Sequence, residues 1–255
     1  MHLSPSTVAL TACAIFVIAA VYSSVGHGGA SSYLAVMMLL AVNPSEMATT
    51  ALVLNVLVAG IACAAYARAG HMSFRLIWPF VVASVPAAFA GGLIHLTSDS
   101  YFLLLSVALV AAAARLWITF PKGSADDVYR TPKLGIALPA GAGIGLLSGA
   151  VGIGGGIFLS PVMMLLRWAD ARRVSATAAC FVVVNSISGL AGRFARGGID
   201  IGSIAPFMVA AFAGGLLGSH VGANKLSNIA LRRILALVLL AAATKAVVTV
   251  LSASP

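Results

Sequence analysis

Carboxylates are scarce in this sequence. Only 6 of the 255 residues are acidic, and all lie at the ends of long apolar runs or between them: Glu46, Asp99, Asp126, Asp127, Asp170 and Asp200. Charged residues of both signs make up 8% of the chain, whereas 61% is apolar and the mean hydropathy is +1.07. Such a chain lacks the polar surface of a soluble globule. We therefore predict an integral membrane protein whose apolar interior holds no carboxylate.

Cysteines are also few, and their spacing suits neither a metal site nor a disulfide framework. Cys13, Cys63 and Cys180 lie alone in separate apolar runs, and we interpret them as small buried hydrophobic residues. We expect no metal and no cofactor. The apolar stretch 8–22 has no cationic leader before it, so we interpret it as a retained membrane segment rather than a signal peptide.

A dense basic tract is missing too, although the net charge is +9. The basic residues are scattered through short loops without interleaved aromatics, which argues against a nucleic-acid partner and for the lipid bilayer as the surroundings. The apolar runs also offer no nucleophile beside a base, no carboxylate pair and no metal cluster, so we predict that the protein is not an enzyme. A transporter is favoured, and the alternatives are an anion channel, a membrane scaffold and, last, a membrane-embedded enzyme.

Apolar runs of membrane-spanning length fill most of the chain. A helix needs about 20 apolar residues to cross a bilayer. Six runs meet this requirement, at 47–67, 76–96, 101–120, 174–192, 201–222 and 234–251. Two longer regions, 8–42 and 134–166, are each cut by a glycine cluster into shorter pieces. The sequence predicts an all-α membrane fold of two halves, each with a glycine-broken or re-entrant helical element followed by three transmembrane helices.

The second half repeats features of the first. Val25-Gly26-His27-Gly28-Gly29 recurs 126 residues later as Val151-Gly152-Ile153-Gly154-Gly155, and residues 87–93 reappear letter for letter as 210–216. Asn55 and Asn185 fall in the next apolar helix of each half, at an offset of 130. These ordered matches predict an N-terminal membrane repeat over 1–120, a polar linker over 121–133 and a C-terminal membrane repeat over 134–255.

The distribution of basic residues indicates how the halves are oriented. If each glycine-split region is one broken crossing, the halves are parallel and the basic residues divide between both sides. If each region enters and returns, the halves are inverted, and nearly all basic residues face one side, leaving chiefly Arg193 and Arg196 on the other. The positive-inside rule favours inverted repeats and makes the basic side cytoplasmic. We therefore expect a multi-pass protein of the cell inner membrane.

The glycine clusters suit the binding of an anion. A new helix begins after each cluster, near Ala30 and near Ile157, where free backbone N–H groups and the helix macrodipole favour negative charge. Glycine allows close approach of a ligand to the backbone. We predict that the two helix starts bind a small anion between them. The candidate substrate-binding residues are Ser24, Gly26, His27, Gly28, Gly29, Ser31, Asn55, Ser148, Gly152, Gly154, Gly155, Gly156 and Asn185.

Structural roles compete with this interpretation. Glycines also permit close packing of membrane helices, which we prefer for the pairs 91–92 and 214–215. His27 suits a proton carrier, a donor to the anion or a structural imidazole, and these alternatives stay open. Asn55 and Asn185 must each either bond to another helix or face the substrate. Arg193 and Arg196 are interpreted as solvated charges at the membrane interface.

These motifs resemble those of the TauE/SafE family of sulfite exporters. The resemblance covers nearly the whole chain, and it includes the helix ends Tyr66-Ala-Arg-Ala-Gly70 and Phe194-Ala-Arg-Gly-Gly198. It implies transport of small sulfur oxyanions or organosulfonates, of the sulfite, sulfoacetate or thiosulfate class. Moving one negative charge out of a cell that is negative inside releases about 2.3 kcal/mol per 100 mV. We therefore expect export by alternating access, with proton coupling through His27 as an open alternative.

Overall fold

The computed structural model describes residues 5–24, 28–40, 42, 44–117, 132–197, 204–222 and 229–253. The regular elements in these ranges are α-helices, which confirms the predicted all-α membrane fold. They are α1 (Pro5–Ser24), α2 (Ala30–Leu39), α3 (Pro44–Arg68), α4 (Phe74–Leu93), α5 (Ser98–Trp117), α6 (Leu134–Val151), α7 (Gly156–Leu165), α8 (Ala171–Ala195), α9 (Ala205–Gly222) and α10 (Ile229–Ala253). In the described residues, α1, α3, α4, α6 and α8 contain spans long and apolar enough to cross a membrane.

Each glycine cluster ends one helix and begins a short one. After α6, Gly152, Gly154 and Gly155 have φ angles of 92°, 78° and 84°, and Gly29 before α2 has a φ of 91°. Residues with a side chain rarely adopt these left-handed angles, so glycine is required there. The short helices α2 and α7 have 10 residues each. At about 15 Å they cover half of the hydrocarbon core.

The helix bounds place the two halves in register. Helices α3 and α8 both have 25 residues, and both their first and last residues are 127 positions apart. In this register the counterpart of Asn55 is Val182. The pairing of Asn55 with Asn185 is therefore wrong by about one helical turn, because it aligned two residues of one type rather than the helices that carry them. The predicted linker 121–133 lies outside the described residues except for Pro132 and Lys133, and the repeat boundaries there stay a prediction.

Helices α4 and α6 pack side by side in the same direction. Successive glycines of α6 lie against carbonyls one turn further along α4 each time: Gly141 on Phe80, Gly145 on Ser84 and Gly149 on Ala88. Helix α8 also runs with α4, since the Ser188 hydroxyl donates to the carbonyl of Val85 and Gly192 lies against that of Phe89. Because α6 and α8 run the same way, α7 between them runs back toward the side where α6 begins.

A matching arrangement joins α1 and α9. Gly214 lies against the carbonyl of Phe16 and Gly218 against that of Ala20, so these two helices also run in the same direction. The glycine pairs 91–92 and 214–215 contact neighbouring helices, which confirms their interpretation as close-packing positions. The most extensive helix contacts are therefore formed between the halves, by α4 with α6 and by α1 with α9.

Helices α3 and α8, one from each half, pack against each other and run in opposite directions. Leu52 of α3 lies near Gly189 of α8, whereas Asn55 is grouped with Val182 and Ser186 around Gly154. Further along α3, Cys63 is a neighbour of Cys180 of α8. The interpretation of the cysteines as buried and isolated is thus wrong, because Cys13 is exposed and the other two are half-buried neighbours.

Candidate site between the two glycine breaks

The side-chain amide of Asn55 joins the two glycine clusters. Asn55 is fully buried on α3. Its Oδ1 accepts a hydrogen bond from the backbone N–H of Ala30, the first residue of α2, at 3.2 Å. Its Nδ2 donates to the carbonyl of Ile153, between α6 and α7, at 3.3 Å. Only this orientation of the amide satisfies a free donor at one break and a free acceptor at the other.

Gly28 and Gly154 lie against the two ends of this amide. A Cβ atom on Gly28 would overlap Oδ1 of Asn55, and one on Gly154 would overlap Nδ2. Each would also come within 3.1 Å or less of the Cγ1 atom of Val182. Asn55 and Val182 therefore both pack against the two breaks, and there is no space for a side chain at either glycine.

A small cavity lies between the breaks. The first half contributes Tyr22, Gly28, Gly29, Ala30, Ser31 and Asn55, and the second contributes Ile153, Gly156, Ile157 and Val182. Its free space is about that of one water molecule in this conformation. The first backbone hydrogen bonds of α7 are donated by Phe158 and Leu159 to the Gly155 carbonyl. The N–H groups of Gly156 and Ile157 come before these bonds, at the N-terminal end of the helix. The cavity is thus next to the positive ends of two helices.

Hydroxyl groups lie at and near this cavity. The phenol oxygen of Tyr22 lies 2.9 Å from Ser32 Oγ and 3.4 Å from Ser31 Oγ. Ser186 is fully buried on α8, and its hydroxyl has no hydrogen-bond partner in the described part of the chain. That hydroxyl lies 3.2 Å from the position of a Cβ on Gly154, so it is directed at the second break. The second break thus has an unsatisfied donor beside it, although Ser186 does not line the cavity.

The structure brings together part of the predicted site. Gly28, Gly29, Ser31, Asn55 and Gly156 line the cavity, and Gly154 contacts the Asn55 amide. Gly152 packs against Ala48, and Gly155 against Ile144 and Phe181, so both shape the second break rather than line the cavity.

Other predicted residues lie elsewhere. Ser148 is buried on α6 but is not among the residues that line the cavity. Asn185 donates from Nδ2 to the carbonyl of Phe181 in its own helix at 2.9 Å, and it does not line the cavity either. Gly26, His27 and the side chain of Ser24 lie outside the described residues.

Three residues near the site were missed by sequence reasoning. Tyr22 is an aromatic residue directly before the Ser23-Ser24 pair, and Ser186 follows Asn185, so both had a polar signal inside an apolar run. Val182 gave no such signal in the sequence, because a valine is common in a valine-rich membrane helix. Its role emerges only from the register of α3 and α8.

Arg193 is buried next to the second break. It is 4% exposed, and its Nη2 donates to the carbonyls of Gly149 and Ala150 at the end of α6. The Tyr101 hydroxyl donates to the next carbonyl, that of Val151. The prediction of a solvated interface charge is wrong for Arg193, because α6 ends inside the protein and its last carbonyls need donors. Arg196 is half-buried and donates to the carbonyl of Ile94.

Two broken helix pairs that meet at a polar cavity, within a bundle of membrane-length helices, are the organisation of a membrane transport protein. The family model for the sulfite exporter TauE/SafE matches residues 11–246, and the chain belongs to this family. It is 36% identical over 236 residues to the probable membrane transporter protein y4hK of Sinorhizobium fredii (strain NBRC 101917 / NGR234), covering 92% of this chain and 96% of that protein. No solved structure matches the chain significantly. The chain is a multi-pass membrane transporter.

Proposed function

We propose that this protein is a secondary transporter that exports a small anion, with the anion bound between the two glycine breaks. The observation that carries the proposal is the position of Asn55, which bonds to the start of α2 and to Ile153 within the second break, at one cavity. The description of the family names sulfite, and we take sulfite as the first substrate to test.

The electrostatics of the cavity favour an anion. The helix starts at Ala30 and Gly156 contribute partial positive charge, each worth about 0.3–1 kcal/mol and up to about 2 kcal/mol where partly buried. Arg193 adds a buried full charge near the end of α6. It lies at the carbonyl of Ala150, three residues before Ile153 in the chain. None of the described residues that line the cavity is a carboxylate. Several weak donors and one nearby cation together offset the loss of hydration of a small anion.

We further propose inverted repeats that alternate around the cavity. This proposal is supported by the opposite directions of α3 and α8 and by the matching pairs α4 with α6 and α1 with α9. The parallel helices α4, α6 and α8 all begin beside basic residues: Arg75, Lys133, and Arg172 with Arg173. Their starts lie on one side of the membrane, and the positive-inside rule makes that side cytoplasmic in the inner membrane. Export then runs from this side toward the side of Arg196.

Purified protein in liposomes loaded with sulfite tests the function. We expect efflux that saturates with sulfite concentration, speeds up when the inside is made negative, and shows counterflow. Counterflow separates a carrier from a channel. Efflux no faster than from protein-free liposomes, at every imposed voltage and for every oxyanion tried, would refute the proposal.

A further inference from the structure

The two short helices, α2 and α7, are packed differently against the other half. Helix α2 packs against α10, whereas the equivalent pair, α7 with α5, makes far less contact. Leu39 at the end of α2 is 38% exposed, and its equivalent Leu165 at the end of α7 is 70% exposed. Met38 belongs to the core cluster that includes α10, whereas Met164 is half-buried against a separate cluster of α4, α6, α7 and α8. The two halves are thus in different conformations at this point.

Lys245 joins the end of α2 to α10. Its Nζ donates to the carbonyl of Leu39 at 2.9 Å, between residues 206 positions apart in the chain. This carbonyl lies in the last turn of α2, where carbonyls lack partners in their own helix, and a basic residue there also complements the helix dipole. Lys245 is the only charged side chain between Arg233 and the end of the sequence. An ionisable residue inside a membrane helix is costly, so a functional role is expected.

The bond between Lys245 and Leu39 lies between the cavity and the outer side of the membrane. Helix α2 begins at the cavity with Ala30, and four residues after its end the chain enters α3. Helix α3 runs opposite to α8, which begins on the side proposed to be cytoplasmic. The end of α2 therefore faces the outer side. By the same inversion, α7 lies between the cavity and the cytoplasm.

Building on the proposed alternation of the halves, we infer that α2 is the outer gate of the transporter and that Lys245 holds this gate closed. For the cavity to open outward, α2 must leave α10, which breaks the bond between Lys245 and Leu39. In an inverted repeat the halves exchange conformations, so α7 then packs against α5 and closes the cytoplasmic side. Lys245 does not line the cavity, so it is a positioning residue that determines which side is closed.

The sequence carries a cation at the equivalent place of α5. Residues 111–115, four alanines followed by Arg115, match residues 241–245, three alanines and a threonine followed by Lys245, at an offset of 130. In both runs the second and third alanines are buried in the same core cluster. The exchange of conformations requires a residue that holds α7 closed in the opposite state, and the repeat assigns this role to Arg115.

Two equivalent methionines report on the two gates. Met38→Cys and Met164→Cys are made in a protein whose three native cysteines are replaced by serine. A membrane-impermeant maleimide is added from outside for Met38→Cys, and from the cytoplasmic side in inverted vesicles for Met164→Cys. We expect the outer reporter to react severalfold more slowly than the inner one. Equal rates, or a faster outer reporter, would overturn the assignment of α2 as the closed gate.

Loss of the Lys245 bond should open the outer gate. We expect Lys245→Leu to speed the outside labelling of Met38→Cys severalfold, and Lys245→Arg, which keeps a donor, to leave it slow. Thr244→Leu is the matched control, because the Thr244 hydroxyl bonds only to Leu240 of its own helix. Arg115→Leu removes the equivalent cation and should not speed the labelling.

The outcomes separate the gate from the transported anion. Equal labelling of Lys245→Leu and Thr244→Leu, or failure of Lys245→Arg to restore slow labelling, would overturn the role of Lys245. Sulfite flux of the wild-type protein is measured separately. The expected labelling without any flux would refute the proposed function and leave the gate standing, and flux without the expected labelling would do the reverse. The reporters in the protein with Lys245 intact decide the inference if Lys245→Leu does not insert.

Discussion

Arg193 places its guanidinium nitrogen Nη2 2.6 Å from the carbonyl oxygen of Ala150. The same nitrogen donates to Gly149 at 3.0 Å, so one buried cation supplies two of the donors that the last turn of α6 lacks. This turn directly precedes Gly152 and the second glycine break. The position of that break thus depends on a residue from the far end of α8.

Removing this cation is expected to destabilise the protein and weaken anion binding. Arg193→Leu leaves the two carbonyls without their donor, and each unsatisfied carbonyl lowers the free energy of unfolding by about 1–3 kcal/mol. We predict a lower midpoint of thermal unfolding in detergent and a severalfold higher KM for the transported anion. Arg193→Lys keeps the charge and should be intermediate. Arg196→Leu removes a half-buried charge and serves as the control. An Arg193→Leu protein with wild-type stability and KM would contradict the role assigned here.

The two mid-helix asparagines should differ sharply in their sensitivity to substitution. Asn55→Leu removes both bonds that join the breaks, so we predict flux reduced by at least about tenfold, since two buried backbone groups lose their partners. Asn185→Leu removes only a bond within α8 and is the matched control. Flux and membrane insertion are measured for both variants side by side. Equal losses of flux in the two variants would argue against Asn55 as the bridge.

Glycines at the breaks should tolerate no side chain, whereas glycines facing open space should. Gly28→Ala and Gly154→Ala each place a methyl group on the Asn55 amide, and Gly154 also has a left-handed φ. We predict loss of flux with insertion retained. Gly60→Ala and Gly143→Ala, whose Cβ would meet nothing within 4 Å, are controls. Each control should be neutral or stabilising by up to about 1 kcal/mol, because alanine favours helix more than glycine does. Active Gly28→Ala and Gly154→Ala transporters would refute the arrangement.

Cys63 and Cys180 should form a cross-link between the halves under a mild oxidant. A protease site is inserted into the polar segment 121–131, and the protein is cleaved after oxidation. We predict that the two fragments migrate together without reductant and separate with it. Cys13→Ser should keep this behaviour and Cys63→Ser should abolish it. Because α3 and α8 also carry Asn55 and Val182, the cross-link should slow transport, and reduction should restore it. Fragments that separate after oxidation would contradict the α3 and α8 contact.

Hydropathy and glycine spacing predicted most of the fold. The six apolar runs correspond to α3, α4, α5, α8, α9 and α10, and the two glycine-split regions to α1 with α2 and α6 with α7. This succeeded because the bilayer sets helix length, and left-handed turns need glycine. The packing of α1 on α9 and of α4 on α6 was not predictable, because glycines that contact another backbone and glycines that face open space, such as Gly145 and Gly143, look alike in sequence.

The site was predicted less completely than the fold. Asn55 and the glycines around it stood out because polar and glycine residues are costly inside an apolar run unless they have a role. The opposite wall did not stand out, since Ile153, Ile157 and Val182 are typical of membrane helices. Arg193 was misplaced because its position near a helix end suggests solvent, whereas its partners belong to a distant part of the chain.

The contact between α1 and α9 bears on how the protein is made. About 200 residues separate the two helices, and at a synthesis rate of about 5–20 residues per second α9 leaves the ribosome roughly 10–40 s after α1. During that interval α1 must lie in lipid without α9, the helix that it packs against in the finished protein. Its span has a mean hydropathy of 2.0 and is only 33% buried in the finished protein. The first helix is therefore apolar enough to stay in the lipid bilayer until α9 has been made, and assembly is completed only late in translation.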